Sequence, residues 1–166
     1  MVGALARFNN NYKQLKPLAQ KVAAKLGLEA PNLNPYMNTV AQVVEVAHCI
    51  ENTLELIDIL LTKGIKKEKP NQEPTKYGRG FGSTEVPRGI LFHDYTYNKQ
   101  GNIEAANCII PTGQNLANID DDMKKLVPEI IDEPKEKITH MLEMLVRAYD
   151  PCISCSVHML DVKFIE

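Results

Sequence analysis

The chain has almost no charge imbalance, no long apolar run and few cysteines, and each absence removes a class of protein. Its formal net charge is −2, so no basic excess points to nucleic acid or to an acidic membrane surface. Apolar stretches such as Ile57–Leu61 fall far short of the roughly 20 residues that span a bilayer. The opening MVGALARFNN lacks the apolar core of a secretory signal, which favours the cytoplasm. Four cysteines in 166 residues are too sparse for a secreted disulfide scaffold. No internal repeat or low-complexity tract is present. The glycines at 78, 80 and 82 precede no Gly-Lys-Ser/Thr, so they do not make a phosphate-binding loop.

What is present predicts one domain, mainly α with a small antiparallel β-hairpin. Residues 1–64 read as helical. Leu18, Val22 and Leu26 recur at helical spacing between Pro17, suited to a first helical turn, and Gly27, suited to an end. A longer helix carries the stripe Val40, Val43, Val44, Ala47, Ile50, Leu54, Ile57 and Leu61, with Pro35 or Asn38 at its start and Gly64 after its end. Val46, Leu56 and Leu60 widen that stripe, which predicts burial on more than one side. The charged, glycine- and proline-punctuated residues 65–88 read as a solvated loop. Within 89–111, GILFHDYTY and IEAANCII flank a turn at 98–102 and predict the hairpin. Residues 120–158 read as helical again. Asp120 is expected to cap a short helix through Val127, and Pro134 to open a last one whose Ile138, Met141, Leu142 and Leu145 face a core.

That last helix runs into Asp150-Pro151-Cys152-Ile153-Ser154-Cys155-Ser156-Val157-His158. Thiols three positions apart grip one soft metal, or two adjacent ones, when the backbone turns between them. Pro151 stops the helix and biases Asp150 towards an extended conformation. His158 adds a borderline ligand and Asp150 a neighbouring carboxylate. Spacing alone leaves metal binding, redox chemistry and an inert pair open. A structural zinc site would want a second ligand pair, and a thioredoxin-like pair would open a helix rather than end one. Cys49, in a helical apolar pattern, and Cys108, in an apolar run, are expected to be buried and inert.

The segment AYDPCISCSVH resembles the carboxy-terminal signature Asp-Pro-Cys-x-x-Cys-x-x-His of nickel–iron hydrogenase large subunits. GSTEVPRGILFH resembles that family's Glu-x-Pro-Arg-Gly segment, and IIPTGQN its Pro-Thr/Ser-x-x-Asn segment. VGALARFNNNY and NPYMNTVAQVVEVAHCIE resemble its cytoplasmic, cofactor-linked branch. The resemblance covers nearly the whole chain in the family's order, and implies the carboxy-terminal portion of the large-subunit fold. The family's amino-terminal Arg-x-Cys-Gly-x-Cys, source of the other two thiolates, does not occur here. The chain is therefore expected to be one piece of a larger or split subunit.

The resemblance implies roles residue by residue. Cys152 would be a terminal nickel ligand and Cys155 a thiolate bridging nickel and an iron that carries cyanide and carbon monoxide. Arg88, flanked by Pro87 and Gly89, would hold its guanidinium over the open coordination site. Thr112, beside Pro111, would donate to a cyanide. His158 would bind a magnesium ion together with the backbone carbonyl near Cys108. Glu85 and Asp150 would support the site from behind. His93 would steady the hairpin nearby, while His48 and His140 are weaker candidates and His140 reads as a helix-face residue. Implied partners are the amino-terminal half of the subunit, against which the long apolar helix would pack, an iron–sulfur small subunit and a maturation protease that removes residues 159–166. Electrons would pass to a nicotinamide, a deazaflavin or a disulfide reductase. Two competing readings are a non-catalytic module holding one zinc or nickel ion and a cofactor-free scaffold like that of quinone reductases. The Pro-Arg-Gly segment is of no use to a simple zinc module, and the cysteine pair sets the chain apart from the scaffold.

Overall fold

Small side chains decide how the first helices meet. In the computed structural model, which describes residues 1–67, 69, 77–152 and 162–163, α1 spans Ala4–Asn11, α2 Pro17–Lys25 and α3 Met37–Lys63. Their shared core is Ala4, Leu5, Phe8, Ala19, Ala23, Leu28, Ala41, Val44 and Ala47. Alanines from α2 and α3 let the two helices approach closely, and such contacts contribute through dispersion and removal of apolar area from water. The expected stripe of α2 is therefore not its buried one. Leu18 and Leu26 remain 44% and 45% exposed, while Ala19 and Ala23 are buried. The helix at Ala4–Asn11 falls within the expected helical segment 1–64.

The long helix forms as its periodicity predicts, and Gly64 follows its last turn. Within this chain only one narrow face of it is covered, and the rest of its apolar surface is exposed, as expected of a helix whose second apolar side would pack against the amino-terminal half. Only Asn38, Ala41, Val44 and Ala47 are buried, and beyond them Ile50, Leu54, Leu60 and Leu61 stand 53–71% exposed. No described element covers the second half of α3.

The three-stranded antiparallel sheet is β1 Gly78–Val86, β2 Gly89–Tyr97 and β3 Ile103–Ile109, in that order. The β2–β3 hairpin agrees with the expectation. Asn98 closes its turn, its side-chain oxygen accepting hydrogen bonds from the amides of Gln100 and Asn102. The loop expected over 65–88 is corrected, because 78–86 is a strand paired with β2 along its whole length. Alternating glycines suppressed the strand signal, whereas the pairing uses backbone groups that any sequence supplies. Arg79 on β1 adds two hydrogen bonds to Asp94 on β2.

A second correction concerns α4. The helix spans Pro111–Ile130 with Pro111 in its first turn and Pro128 inside it. Asp120 is thus mid-helix and caps nothing. The stripe Pro111, Asn115, Ile119 and Ile130 is buried, and the packing of that face carries the helix from Pro111 past Val127. The last helix, α5 Lys135–Ala148, begins after Pro134 and buries Ile138, Leu142 and Leu145 as expected. Cys49 and Cys108 are both exposed rather than buried. Cys49 lies on the outward side of α3, and Cys108 on a sheet strand whose every residue is exposed.

Candidate functional site

Five segments distant in sequence converge at the end of α5. They are the amino-terminal residues 2–5, the start of α3, the two-residue turn Pro87–Arg88 between β1 and β2, the start of α4, and residues 148–152. Two buried asparagines, each 2% exposed, tie them together. Asn38 accepts the amide of Leu5 at 3.0 Å and donates to the carbonyl of Ala148 at 3.0 Å. Asn115 accepts the amide of Val2 at 2.8 Å and donates to its carbonyl at 3.2 Å. A buried amide with both ends satisfied fixes position, because any displacement leaves polar groups unpaired.

Gly89 shows how tight the convergence is. Its φ is 143°, and a Cβ there would lie 2.9 Å from Val2 Cγ2 and 3.0 Å from Pro111 Cβ. Only glycine suits both the backbone angle and the space. The turn before it is clamped by Arg7, whose guanidinium pairs with Glu45 and donates to the carbonyls of Val86 at 3.1 Å and Pro87 at 2.7 Å. The hydrogen bond to Glu45 raises the Arg7 pKa further above its ordinary value, against the opposing effect of burial. Glu85 lies 3.5 Å from Arg7, with its side chain largely exposed.

Arg88 points from this turn towards the end of α5. Its Nε donates to the Asp150 carbonyl at 2.9 Å and lies 3.3 Å from that residue's Oδ2. Gln42 of α3 donates to the same Oδ2 at 2.8 Å. Asp150 has φ of 50°, not the extended conformation expected before Pro151. Asp is one of the few side chains that tolerate this region, and here its two polar partners hold it there. Thr112, in the first turn of α4, accepts the backbone amide of Cys152 at 3.2 Å.

The arrangement brings Arg88, Pro87, Pro111, Thr112, Asp150 and Cys152 together, with Glu85 on the neighbouring strand. Cys155 and His158 lie outside the described residues, as does most of the tail 159–166. Cys108 sits in β3 opposite His93. His48 accepts the amide of Lys16, and His140 is exposed on α5. Sequence reasoning missed Arg7, Asn38 and Gln42 as positioning residues. Asn115 had a signal, as the last residue of the IIPTGQN segment.

The donor set fits one wall of a nickel–iron centre. A soft sulfur, Cys152, sits at the turn. The Thr112 hydroxyl accepts from Cys152 and still has its own proton to donate. Arg88 is held along one edge, and among the described residues its terminal nitrogens have no partner. Among the described residues no three His, Cys, Asp or Glu side chains cluster as a metal site, so the wall is incomplete on these residues alone.

Comparison with known proteins identifies the family. The chain belongs to the nickel-dependent hydrogenase family, whose model matches residues 1–158. It is 36% identical over 160 residues to the sulfhydrogenase 1 subunit alpha of Pyrococcus furiosus, covering 96% of this chain and 37% of that one. It is 30% identical to the NAD-reducing hydrogenase HoxS subunit beta of Cupriavidus necator, covering 96% and 34%. Its fold matches a crystal structure of an NAD+-reducing [NiFe]-hydrogenase in the H2-reduced state, with TM-score 0.76, 26% identity, 95% of this chain and 35% of that one. The chain thus spans a little over a third of the length of the relatives it matches. The helical fold with a small antiparallel sheet is that of the large subunit's corresponding part. This match favours the hydrogenase reading over the zinc-module and quinone-reductase readings. No helix among the described residues is long and apolar enough to cross a membrane.

Proposed function

We propose that this chain supplies the carboxy-terminal wall of a nickel–iron centre at which dihydrogen is reversibly oxidised to two protons and two electrons. The observation that carries this reading is the pair of contacts that join Arg88 to Asp150 and Thr112 to Cys152. They gather a cation, a hydroxyl donor and a soft sulfur from three separate elements. When bound, the centre, with cyanide and carbon monoxide on iron, supplies the electron acceptor and the polarisation that dihydrogen cleavage requires. Cys152 and Cys155 hold it from this side.

Arg88 contributes a fixed positive charge beside the reacting atoms. A cation oriented in advance stabilises charge that moves during heterolysis, and arginine remains charged throughout. Asp150 fixes that guanidinium by its edge and thereby aims the remaining donors. Thr112 has a hydroxyl proton to offer a cyanide. His158 and the carbonyl of Cys108 hold magnesium in this reading, and Glu85 with Pro87 and Pro111 shape the turn and helix start behind them.

The remaining ligands belong to the part of the family's length outside this chain, since these 166 residues contain one Cys-x-x-Cys and no iron–sulfur cysteine spacing. The partners are that amino-terminal half, an iron–sulfur small subunit and a maturation protease acting after His158. In this reading the complex works in the cytoplasm.

The test is dihydrogen-dependent dye reduction by this chain alone and by the chain matured with an amino-terminal half and a small subunit. The chain alone is expected to be inactive, and the matured complex active unless Cys152→Ser is introduced. Turnover by the isolated chain, or an active Cys152→Ser complex, would overturn the reading.

A further inference from the structure

Outside the Cys152 region, the sheet gathers a second set of soft donors. We propose that His93, Tyr95 and Cys108 form a separate binding site for a thiophilic d10 cation, with zinc(II) the natural occupant. His93 Nδ1 lies 3.2 Å from Tyr95 Oη, Tyr95 Oη 3.4 Å from Cys108 Sγ, and Cys108 Sγ 3.6 Å from His93 Nδ1. Around a tetrahedral zinc, ordinary bond lengths place nitrogen and oxygen ligands about 3.3 Å apart, and either of them about 3.5 Å from sulfur. The three observed edges therefore match one face of such a tetrahedron, and an ion could enter without rearranging the strands.

The backbone explains why these atoms meet. His93 and Cys108 are directly opposed in the β2–β3 ladder, and Tyr95, two residues along β2, shares the face of His93. The rings of His93 and Tyr95 stack with centroids 5.7 Å apart, which limits their rotation. On the other flank His93 is paired with Gly82. Open space surrounds a Cβ built at Gly80 or Gly82, so the fourth coordination position stays accessible to water or to a further ligand.

The ligands are unequal. Tyr95 enters through its phenol oxygen as a neutral, weak third donor. The Cys108 thiolate and the His93 imidazole supply most of the affinity. The site uses the Cys108 side chain, whereas the family resemblance concerns only that residue's carbonyl. It does not depend on the nickel–iron reading.

The experiment is a zinc(II) titration of the reduced chain carrying Cys49→Ser, Cys152→Ser and Cys155→Ser, monitored by a competing chromophoric chelator. Cobalt(II) serves as a spectroscopic substitute. One equivalent of zinc is expected, with a thiolate-to-cobalt charge-transfer band. Cys108→Ser and His93→Gln should each weaken binding at least tenfold, and Tyr95→Phe a few-fold, with unchanged far-UV circular dichroism. Absence of zinc binding at micromolar concentrations, or equal affinity after Cys108→Ser or His93→Gln, would overturn the proposal.

Discussion

Arg88 and Asp150, 62 positions apart in the chain, are joined by a 2.9 Å hydrogen bond from the guanidinium Nε to the backbone carbonyl. The bond links the β1–β2 turn to the end of α5, and it requires a donor at the ε position of a planar group. Lysine has no equivalent. Arg88→Lys in the complete enzyme is expected to lower turnover by about a hundredfold, the scale of losing one oriented electrostatic group. Urea unfolding should change little, because Arg88 is partly exposed. Full activity in the lysine variant would remove the role assigned to the arginine.

Asn38 joins α1 to α5 through buried bonds at both ends of its amide. Alanine there would leave the Leu5 amide and the Ala148 carbonyl unpaired. Each buried orphan costs about 1–3 kcal/mol, so with two of them Asn38→Ala should lose about 2–6 kcal/mol in denaturant unfolding. A loss below 1 kcal/mol would mean that water or a shift of α5 satisfies both groups.

Gly89→Ala is expected to destabilise by about 2 kcal/mol or more, since backbone strain and overpacking each cost about 1–3 kcal/mol. The φ of 143° and the contacts with Val2 and Pro111 both oppose a side chain. Thermal unfolding of the variant checks this, and a neutral result would show that the amino-terminal segment moves aside freely.

The outer half of α3 exposes Ile50, Leu54, Leu56, Leu60 and Leu61. A contiguous apolar strip of this kind drives association. Sedimentation velocity should find the isolated chain self-associated, with Leu54→Lys shifting it towards monomer. A monomer before any substitution would show the strip to be tolerated in water.

Stability should fall at alkaline pH through Tyr149. Burial chiefly, together with its hydrogen bond to Asp122, raises the folded-state pKa of this phenol above its ordinary value. The unfolded chain therefore loses the proton first. The stabilisation is fully present below the unfolded pKa of about 10 and declines as pH rises past it towards the folded value. Urea midpoints from about pH 8 to 11 should fall more steeply for the parent chain than for Tyr149→Phe. Parallel profiles would show that Tyr149 is not the group responsible.

Local periodicity made α3, α5 and the β2–β3 hairpin legible, because each announces itself within its own residues. So did the sharp stop at Pro151, and the Pro-Arg-Gly and Asp-Pro-Cys segments that carry the family resemblance. Strand β1 was hidden because Gly78, Gly80 and Gly82 carry no strand preference, and its pairing partner lies in the next element. The full length of α4 was hidden because the packing of its buried face carries it past Val127.

The residues that position the candidate site were decided only in three dimensions. Nothing near Asn38 or Asn115 in sequence says that an amide will be buried with both ends bonded. Nothing near Arg7 says that it will hold a turn about 80 residues away. The left-handed Asp150 runs against its local preference before proline, and Gln42 and Arg88 supply the partners that hold it there. The sequence by itself determined the helices α3 and α5, the β2–β3 hairpin and the family. Tertiary structure decided which faces are buried and which donors meet, because burial and hydrogen-bond satisfaction depend on neighbours that the chain brings together only when it folds.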